Sequence, residues 1–566
     1  MSPIDRALLA AAVLVACAAP VAGLGRTDLW PPDEPRVAEI SREMSESGSW
    51  LIPTLNGEPF IEEPPLFYWL QAGLFRVNGS ASTVAARLPA AAAGILGVLA
   101  MGAVARSAGA SPLLAILALA TAPEYWWMSR SATPDTAAAA ATTLGLAAFL
   151  AAWQTGRRGL LAASALAFGA AFWCKSLLPI GLATVTIALF VAGAGWGRLR
   201  ARDLALAATG VAVLAAGWVL VLAKELGGPA AVFFVVTNHV GRLVGVPTEG
   251  HTRSAFYYLP NLALDFFPWV VVLPAALAAA WRRRGMPERW FSLCWAAGML
   301  LVLSASATKR AHYLLAAYPG FALLVAQWWP EAWRGRLDRA ARRMAIVAMV
   351  IAGPVVGFVL LGLRGADVMA IAEGARATPP AWLAALRGSH APGMAWVAAA
   401  TLALLGLVLL RADRAGSVAR SAAAVGVYVI CIELLVTLVA MPRLNPLCSS
   451  RAGAERLGRL ADRGVRVVAY RLDGSSSLGP VLFYARRQIP EVKTVTALRT
   501  ELLSGPTCAV IRPGDYAALA SVLPGSAVPT AALPGFRLTI VESTPGLCSM
   551  DPTEGRRGEP LGRRGV

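Results

Sequence analysis

Acidic side chains are scarce in this chain: 33 Asp and Glu stand against 51 Lys and Arg in 566 residues, a formal net charge of +18. Histidine is scarcer, with four. The seven cysteines include no Cys-x-x-Cys pair, so no paired-thiol signature is present. No internal repeat is visible. The short alternating segments of a membrane barrel are missing too. Against that background one stretch is conspicuous. Between Trp30 and Trp69 lie Asp33, Glu34, Glu39, Glu43, Glu46, Glu58, Glu62 and Glu63. Acids grouped this densely in a basic chain need a reason.

What the chain has in excess is apolar sequence, 57% of residues with a mean hydropathy of +0.58. Ala/Leu/Val runs of about 18–20 residues recur, too often for a soluble protein. The expected fold class is a polytopic α-helical membrane protein. Thirteen spans are predicted, near 7–24, 84–105, 110–123, 135–153, 159–173, 177–195, 203–223, 263–281, 290–306, 312–328, 344–363, 393–410 and 420–441. The first run could also be read as a signal peptide; an uncleaved span is preferred, because the acidic stretch after it needs anchoring. Arginines sit in the short loops, including Arg106, Arg157, Arg198, Arg282 to Arg284 and Arg411 to Arg420. That pattern fits the positive-inside rule rather than a nucleic-acid partner. It puts the N-terminus in the cytoplasm and the acidic stretch and C-terminal tail outside, in the periplasm of a cell with two membranes.

Within the outer loop 25–83, residues 36–47 read as an amphipathic helix with Val37, Ile40 and Met44 on one face. Residues 66–75 read as a second, aromatic one. Both are expected to lie flat at headgroup height, where a lipid phosphate sits. The domain plan is thus 1–442 in and on the membrane, 443–550 as a small α/β domain, and 551–566 as a disordered tail. In the tail, 465–470, 481–485, 507–511 and 538–542 read as strands. Cys508–Cys548 is the candidate disulfide if the tail is extracytoplasmic.

Several residues suit chemistry, each with a plainer alternative. Asp33-Glu34 fits a general base, or an acid that caps the following helix. Glu62-Glu63, joined by His239, fits a divalent metal site, or solvated loop charge. Arg130, Asp135, Lys175, Arg242, Lys309, Arg310 and His312 fall near outer span ends. Their cations suit a phosphate or pyrophosphate, or snorkelling; Asp135 equally suits a helix cap. Lys175 stands apart: it lies between two apolar runs with almost no loop to hydrate it, so it needs a partner. Glu433, inside the last span, needs one too.

As an ordered set these residues resemble the bacterial membrane glycosyltransferases of the aminoarabinose-transferase and protein O-mannosyltransferase type. The carrying residues are Asp33-Glu34-x-Arg36-x-x-Glu39-Ile40-x-x-Glu43-Met44, Phe60-x-Glu62-x-Pro64-Pro65-Leu66-x-Tyr68-Trp69, Pro134-Asp135, Lys175 and Thr308-Lys309-x-x-His312-Tyr313-Leu314-Leu315. The resemblance implies the glycosyltransferase-C fold and a polyprenyl-phosphate sugar donor. Transfer would be to a lipid A, glycan or protein acceptor at the outer face. It implies Asp33, with Glu34, as the catalytic carboxylates, Asp33 being the candidate base or acceptor-orienting group. Lys175, Lys309, Arg310, Arg242 and Arg130 would take the phosphate, and Asp135, Tyr68, His312 and Tyr313 would meet substrate. A metal would sit near Glu62, Glu63 and His239. A monomer without an organic cofactor is expected. Two departures stand out: Val37 where Tyr is common, and Glu63 where the family has Lys. Beside an anionic phosphate that reversal swings about 5–8 kcal/mol at 4–6 Å and an effective permittivity near 20. Two other readings follow from the same residues: a flippase for lipid-linked sugars, and an inactive scaffold.

Overall fold

A computed structural model describes residues 2–241, 253–362, 393–472, 478–524, 528–533, 538–544 and 547–548. Arg242, the connection 364–392 and the segment 551–566 lie outside the described residues. The chain divides into two compact units. One comprises Met1–Arg26, Ile61–Gln71 and Val84–Arg443; the other comprises Thr27–Phe60, Ala72–Thr83 and Leu444–Val566.

The first unit is helical. Eight helices among the described residues are long and apolar enough to cross a membrane. A ninth would come from Tyr258–Asp265 with Trp269–Arg282, bent by 117°. The opening helix, Pro3–Ala18, starts as its sequence dictates. Pro3 occupies the first turn, where its missing N–H costs nothing. The Ser2 side chain accepts the Asp5 N–H at 3.1 Å. Four of the thirteen expected spans are shorter or broken, and the bent pair accounts for 263–281. Residues 110–123 give only Pro112–Ala120 before a second short helix. Residues 290–306 contain a π-turn at Cys294–Gly298, and 312–328 begin as a 3-10 segment before Tyr318–Trp328. Hydropathy registers burial in a bundle and burial in lipid alike, so short core helices read as spans.

Some arginines of the short connections make ion pairs. Arg420 and Ser417 bond Asp5 at 2.6 and 2.9 Å, and Arg342 bonds Asp413 at 2.6 Å. Glu433 is buried, and neither carboxylate oxygen accepts a hydrogen bond. Its charged neighbour is Arg130.

The second unit joins the acidic loop to the tail. Helix Asp33–Ser47 ends at Gly48, whose φ of +73° supplies the left-handed cap that a side chain would resist. Its stripe of Val37, Ile40 and Met44 is at most 2% exposed. Each such side chain contributes about 1.5–3 kcal/mol on burial. The helix packs against Gly479–Ala485 of the tail. The expected membrane-surface helix is therefore a core helix, because its apolar stripe is covered by protein. Next, Thr54–Leu55 and Glu58–Pro59 form a two-residue hairpin around Asn56-Gly57, both at positive φ. Glu43 accepts the Asn56 and Gly57 N–H groups and the Thr54 hydroxyl at 2.7, 3.1 and 2.7 Å.

The described part of the tail carries strands and helices, and it shares a compact unit with the acidic loop. Its sheet runs Glu491–Val492, Arg466–Tyr470, Thr507–Ile511, Leu538–Glu542, Val528–Leu533 in spatial order; the first three are parallel and the rest antiparallel. The segment 481–485 is a helix, not a strand. Pro480 fixes a helical φ in the first turn, and all seven residues of Gly479–Ala485 are buried, so its apolar run has no alternation to show. Cys508 and Cys548 are disulfide-bonded.

Candidate active site

The centre of the first unit is built on a helix break. Arg158–Lys175 ends and Leu177–Ala194 begins with only Ser176 between them. Ser176 has φ +64° and ψ −144°, a conformation that costs a side-chain-bearing residue about 1–3 kcal/mol. The break leaves Lys175 at a helix end with no loop to hydrate it. Its ammonium lies 2.7 Å from Glu63 Oε1 and 3.2 Å from Asp135 Oδ2. The partner that the sequence demanded is therefore a pair of carboxylates. An ammonium has three N–H groups, and two are engaged here, so one can serve a phosphate oxygen.

Each carboxylate is positioned by its own element. Glu63 precedes Pro64-Pro65 and the Leu66–Val77 helix, whose buried Tyr68 donates its hydroxyl to Glu63 at 3.2 Å. Asp135 is the first residue of Asp135–Thr155, while Pro134 holds the cap position. Asp135 is thus not the helix cap; its second oxygen lies 3.8 Å from His312 Nε2. Tyr313 follows, with its ring edge-on to His312. Asp135, Lys175, Tyr68 and His312 are brought together, and so is Glu63, which had been expected at a metal.

His239 has both ring nitrogens bonded, Nδ1 to the Phe234 carbonyl at 2.5 Å and Nε2 to the Ser176 hydroxyl at 2.7 Å. A carbonyl only accepts, so the Nδ1 proton is fixed. Asn238 bonds the Glu62 main-chain carbonyl at 2.9 Å. Glu62, Glu63 and His239 therefore do not fit a metal: Glu63 faces an ammonium, and both imidazole nitrogens are used. Among the described residues no group of three or more His, Cys, Asp or Glu side chains is arranged to hold one.

Two expected phosphate ligands have other work. Arg130 donates to the carbonyls of Ala19, Pro20 and Ala22 at 3.2, 2.9 and 2.7 Å and stacks on Trp126. It clamps the end of the first helix. Lys309 donates to the carbonyls of Arg253 and Ser306, leaving one N–H. Arg310 is half-buried beside it.

Sequence reasoning missed a set of groups near Asp135. Burial, with Asp265 and Asp135 nearby, pushes the Glu124 carboxyl up to about 8. Asp265 accepts the Tyr318 hydroxyl at 3.1 Å. The signal for Glu124 was there: an acid between Pro123 and three aromatics has little water to ionise in.

Asp33 and Glu34 belong to the second unit. Pro32 holds the cap position, so Asp33 is not the helix cap. Its carboxylate bonds Arg36 at 2.7 Å and is partly exposed. Glu34 accepts the Trp30 N–H at 3.0 Å. Glu39, which lies with them in the sequence motif, is buried in a two-pronged pair with Arg42 at 2.7 and 2.6 Å.

The class that this architecture defines is a multi-spanning helical membrane protein with the glycosyltransferase-C fold. The fold matches that of ArnT from Cupriavidus metallidurans bound to undecaprenyl phosphate, with a TM-score of 0.74 and 22% identity, over 96% of this chain and 99% of that one. The apo oligosaccharyltransferase of Archaeoglobus fulgidus matches with a TM-score of 0.53 and 12% identity, over 92% and 71%. Residues 62–220 match the dolichyl-phosphate-mannose-protein mannosyltransferase family. In sequence the chain is similar to undecaprenyl phosphate-alpha-4-amino-4-deoxy-L-arabinose arabinosyl transferases. It is 31% identical to that of Sodalis glossinidius over 350 residues, 57% of this chain and 61% of the relative. It is 30% identical to that of Pseudomonas savastanoi pv. phaseolicola over 356 residues, 61% and 64%. The chain thus spans about three fifths of the length of these relatives.

Proposed function

We propose that this protein is an integral-membrane glycosyltransferase that moves a sugar from a polyprenyl-phosphate donor to an envelope acceptor. The relatives' named donor supports an undecaprenyl-phosphate-linked aminopentose; lipid A, another envelope glycan or a protein is the acceptor that the resemblance implies. The arginine-rich short loops support a cytoplasmic N-terminus and transfer at the outer face. The observation that carries the reading is the Lys175 ammonium, held by Glu63 and Asp135 with one N–H remaining.

In the step itself an acceptor oxygen attacks the anomeric carbon. The bond from that carbon to the phosphate oxygen breaks, and the phosphate leaves with the electron pair. Lys175 donates a hydrogen bond to the charge growing on that oxygen. Where the acceptor is a hydroxyl, its proton passes to Asp33, the role that the resemblance gives the first-loop aspartate. No step runs through a metal.

The test uses the purified full chain in micelles, undecaprenyl-phosphate 4-amino-4-deoxy-L-arabinose and lipid A, with products read by mass spectrometry. Wild type should form sugar-bearing lipid A, and Asp33→Asn should slow transfer by at least about 100-fold, the usual size of a lost general base. Failure of wild type to consume this donor with lipid A, a glycan or a protein acceptor would overturn the reading.

A further inference from the structure

The tail 443–550 reads in sequence as an appendage. In the structure it grips the loop that carries Asp33. Asp28 accepts from Asn445 Nδ2, Ser449 Oγ and Arg451 Nη1 at 2.9, 2.8 and 3.1 Å. Asn445 Oδ1 in return accepts the Asp28 N–H and the Trp30 indole N–H at 2.9 and 3.0 Å. The Leu29 N–H donates to the Tyr484 hydroxyl at 2.6 Å, in a buried bond. Further along, Asn56 exchanges two bonds of 2.8 Å with the main chain of Ile489.

A close approach of backbone to backbone accompanies these bonds. Gly479 opens the Gly479–Ala485 helix against helix Asp33–Ser47. A Cβ at Gly479 would lie 2.8 Å from Arg36 Cα, 2.9 Å from Arg36 Cβ and 3.1 Å from Arg36 N. These are backbone-anchored atoms, so no rotamer change relieves the clash. Arg36 in turn bonds the Asp33 carboxylate at 2.7 Å. The residues before Asp33 are tied at Leu29 and Trp30, and the residue that holds its carboxylate is seated on Gly479.

We infer that the tail is a positioning element for the general base: Gly479 and Tyr484 set where the Asp33 carboxylate stands, acting through Arg36 and Leu29. The inference rests on the proposed role of Asp33. It makes Gly479 and Tyr484 positioning residues, not catalytic ones. A base must stand within hydrogen-bond reach of the proton it takes, and a shift of about 1 Å costs about 100-fold in rate.

The experiment measures kcat and donor KM of the full-length protein with undecaprenyl-phosphate 4-amino-4-deoxy-L-arabinose for Gly479→Ala, Tyr484→Phe, Asp33→Asn and a control, Gly514→Ala. Gly514 lies in the same tail with open space around its Cβ position. Gly479→Ala should lower kcat about 10- to 100-fold with donor KM within about twofold of wild type, and Tyr484→Phe should lower kcat at least about threefold through the lost bond to a buried amide. Gly514→Ala should match wild type. Formation of the Cys508–Cys548 disulfide reports a folded tail. Wild-type kcat in folded Gly479→Ala, with Asp33→Asn inactive, overturns the positioning inference and spares the reading of Asp33. Wild-type kcat in Asp33→Asn overturns that reading instead. If Gly479→Ala fails to form the disulfide, Tyr484→Phe decides: wild-type kcat there overturns the inference. A rise in donor KM with kcat unchanged, in either tail variant, overturns it as well.

Discussion

Replacing Lys175 by Met removes the one ammonium between Glu63 and Asp135 while keeping the side chain's bulk. At 2.7 and 3.2 Å the gross attractions are about 6 and 5 kcal/mol at an effective permittivity near 20. Dehydrating three ions offsets most of that. What matters is the asymmetry of removal. The side chains are 16% and 8% exposed, so two carboxylates would be left facing each other with little water. Breaking a buried pair in this way costs about 3–5 kcal/mol. Adding Glu63→Gln takes away one of the orphaned charges and should recover about 1–3 kcal/mol. The double variant should therefore be more stable than Lys175→Met alone. Glu63→Gln by itself should be mild, because Lys175 keeps Asp135. The assay is unfolding of the solubilised full chain, run as a double-mutant cycle, with turnover measured in parallel. Turnover should stay low in both variants that lack Lys175. It should return in part when the charges are exchanged, Glu63→Lys with Lys175→Glu. Additive effects on stability, with a coupling below about 0.5 kcal/mol, would refute the argument.

Chelation tests the same electrostatics from another side. Glu63 already faces an ammonium, so donor-dependent turnover should persist in excess EDTA; its loss, restored by a divalent cation, would show that a metal occupies the place assigned to Lys175. Glu124 predicts an alkaline limb to the proposed activity. Its carboxyl is raised from 4.5 to about 8, so it is neutral below that pH and becomes a further anion near Asp135 above it. Turnover should fall as pH rises through about 8, and Glu124→Gln should flatten that fall. The unfolded chain ionises this group first, so folded stability contributed by Glu124 should decline between about 4.5 and 8, and melting of wild type and Glu124→Gln against pH checks the sign.

The class and much of the centre were legible in the sequence, for identifiable reasons. Long apolar runs have few alternatives to helices, so the helical membrane class followed. Lys175 was marked by the lack of any hydrating loop, and two carboxylates answer that lack. Cys508–Cys548 was the pair the tail's cysteines suggested, and it is bonded. Other features were hidden because they depend on neighbours distant in sequence. An amphipathic stripe shows which face of Asp33–Ser47 is buried but not whether lipid or protein covers it. Arg130 carries the same charge whether it meets phosphate or main-chain carbonyls. Residues 481–485 carry an apolar run, and helix burial on every side erased the periodicity that tells helix from strand. His239 was a candidate ligand by residue type, yet its tautomer is set by the Phe234 carbonyl.

The acid at position 63 was the strongest argument against catalysis, and the geometry changes its meaning. A Glu facing a phosphate would oppose it by several kcal/mol. A Glu facing Lys175 at 2.7 Å forms a neutral pair, and one ammonium N–H remains for the phosphate of the proposed donor. Relative to the pattern the sequence resembles, which also has Lys175, the reversal removes one cation, and the pair with Lys175 neutralises the anion that replaces it. One imbalance persists. Asp135 also leans on Lys175, so Glu63, Asp135 and Lys175 together carry one negative charge. His312, 3.8 Å from Asp135, cancels it when protonated. An incoming phosphate anion raises the energetic value of that proton, because it adds negative charge to a half-buried site. Under the proposed function, donor binding and a proton on His312 would favour each other, which is the linkage expected of any anion entering beside a cation.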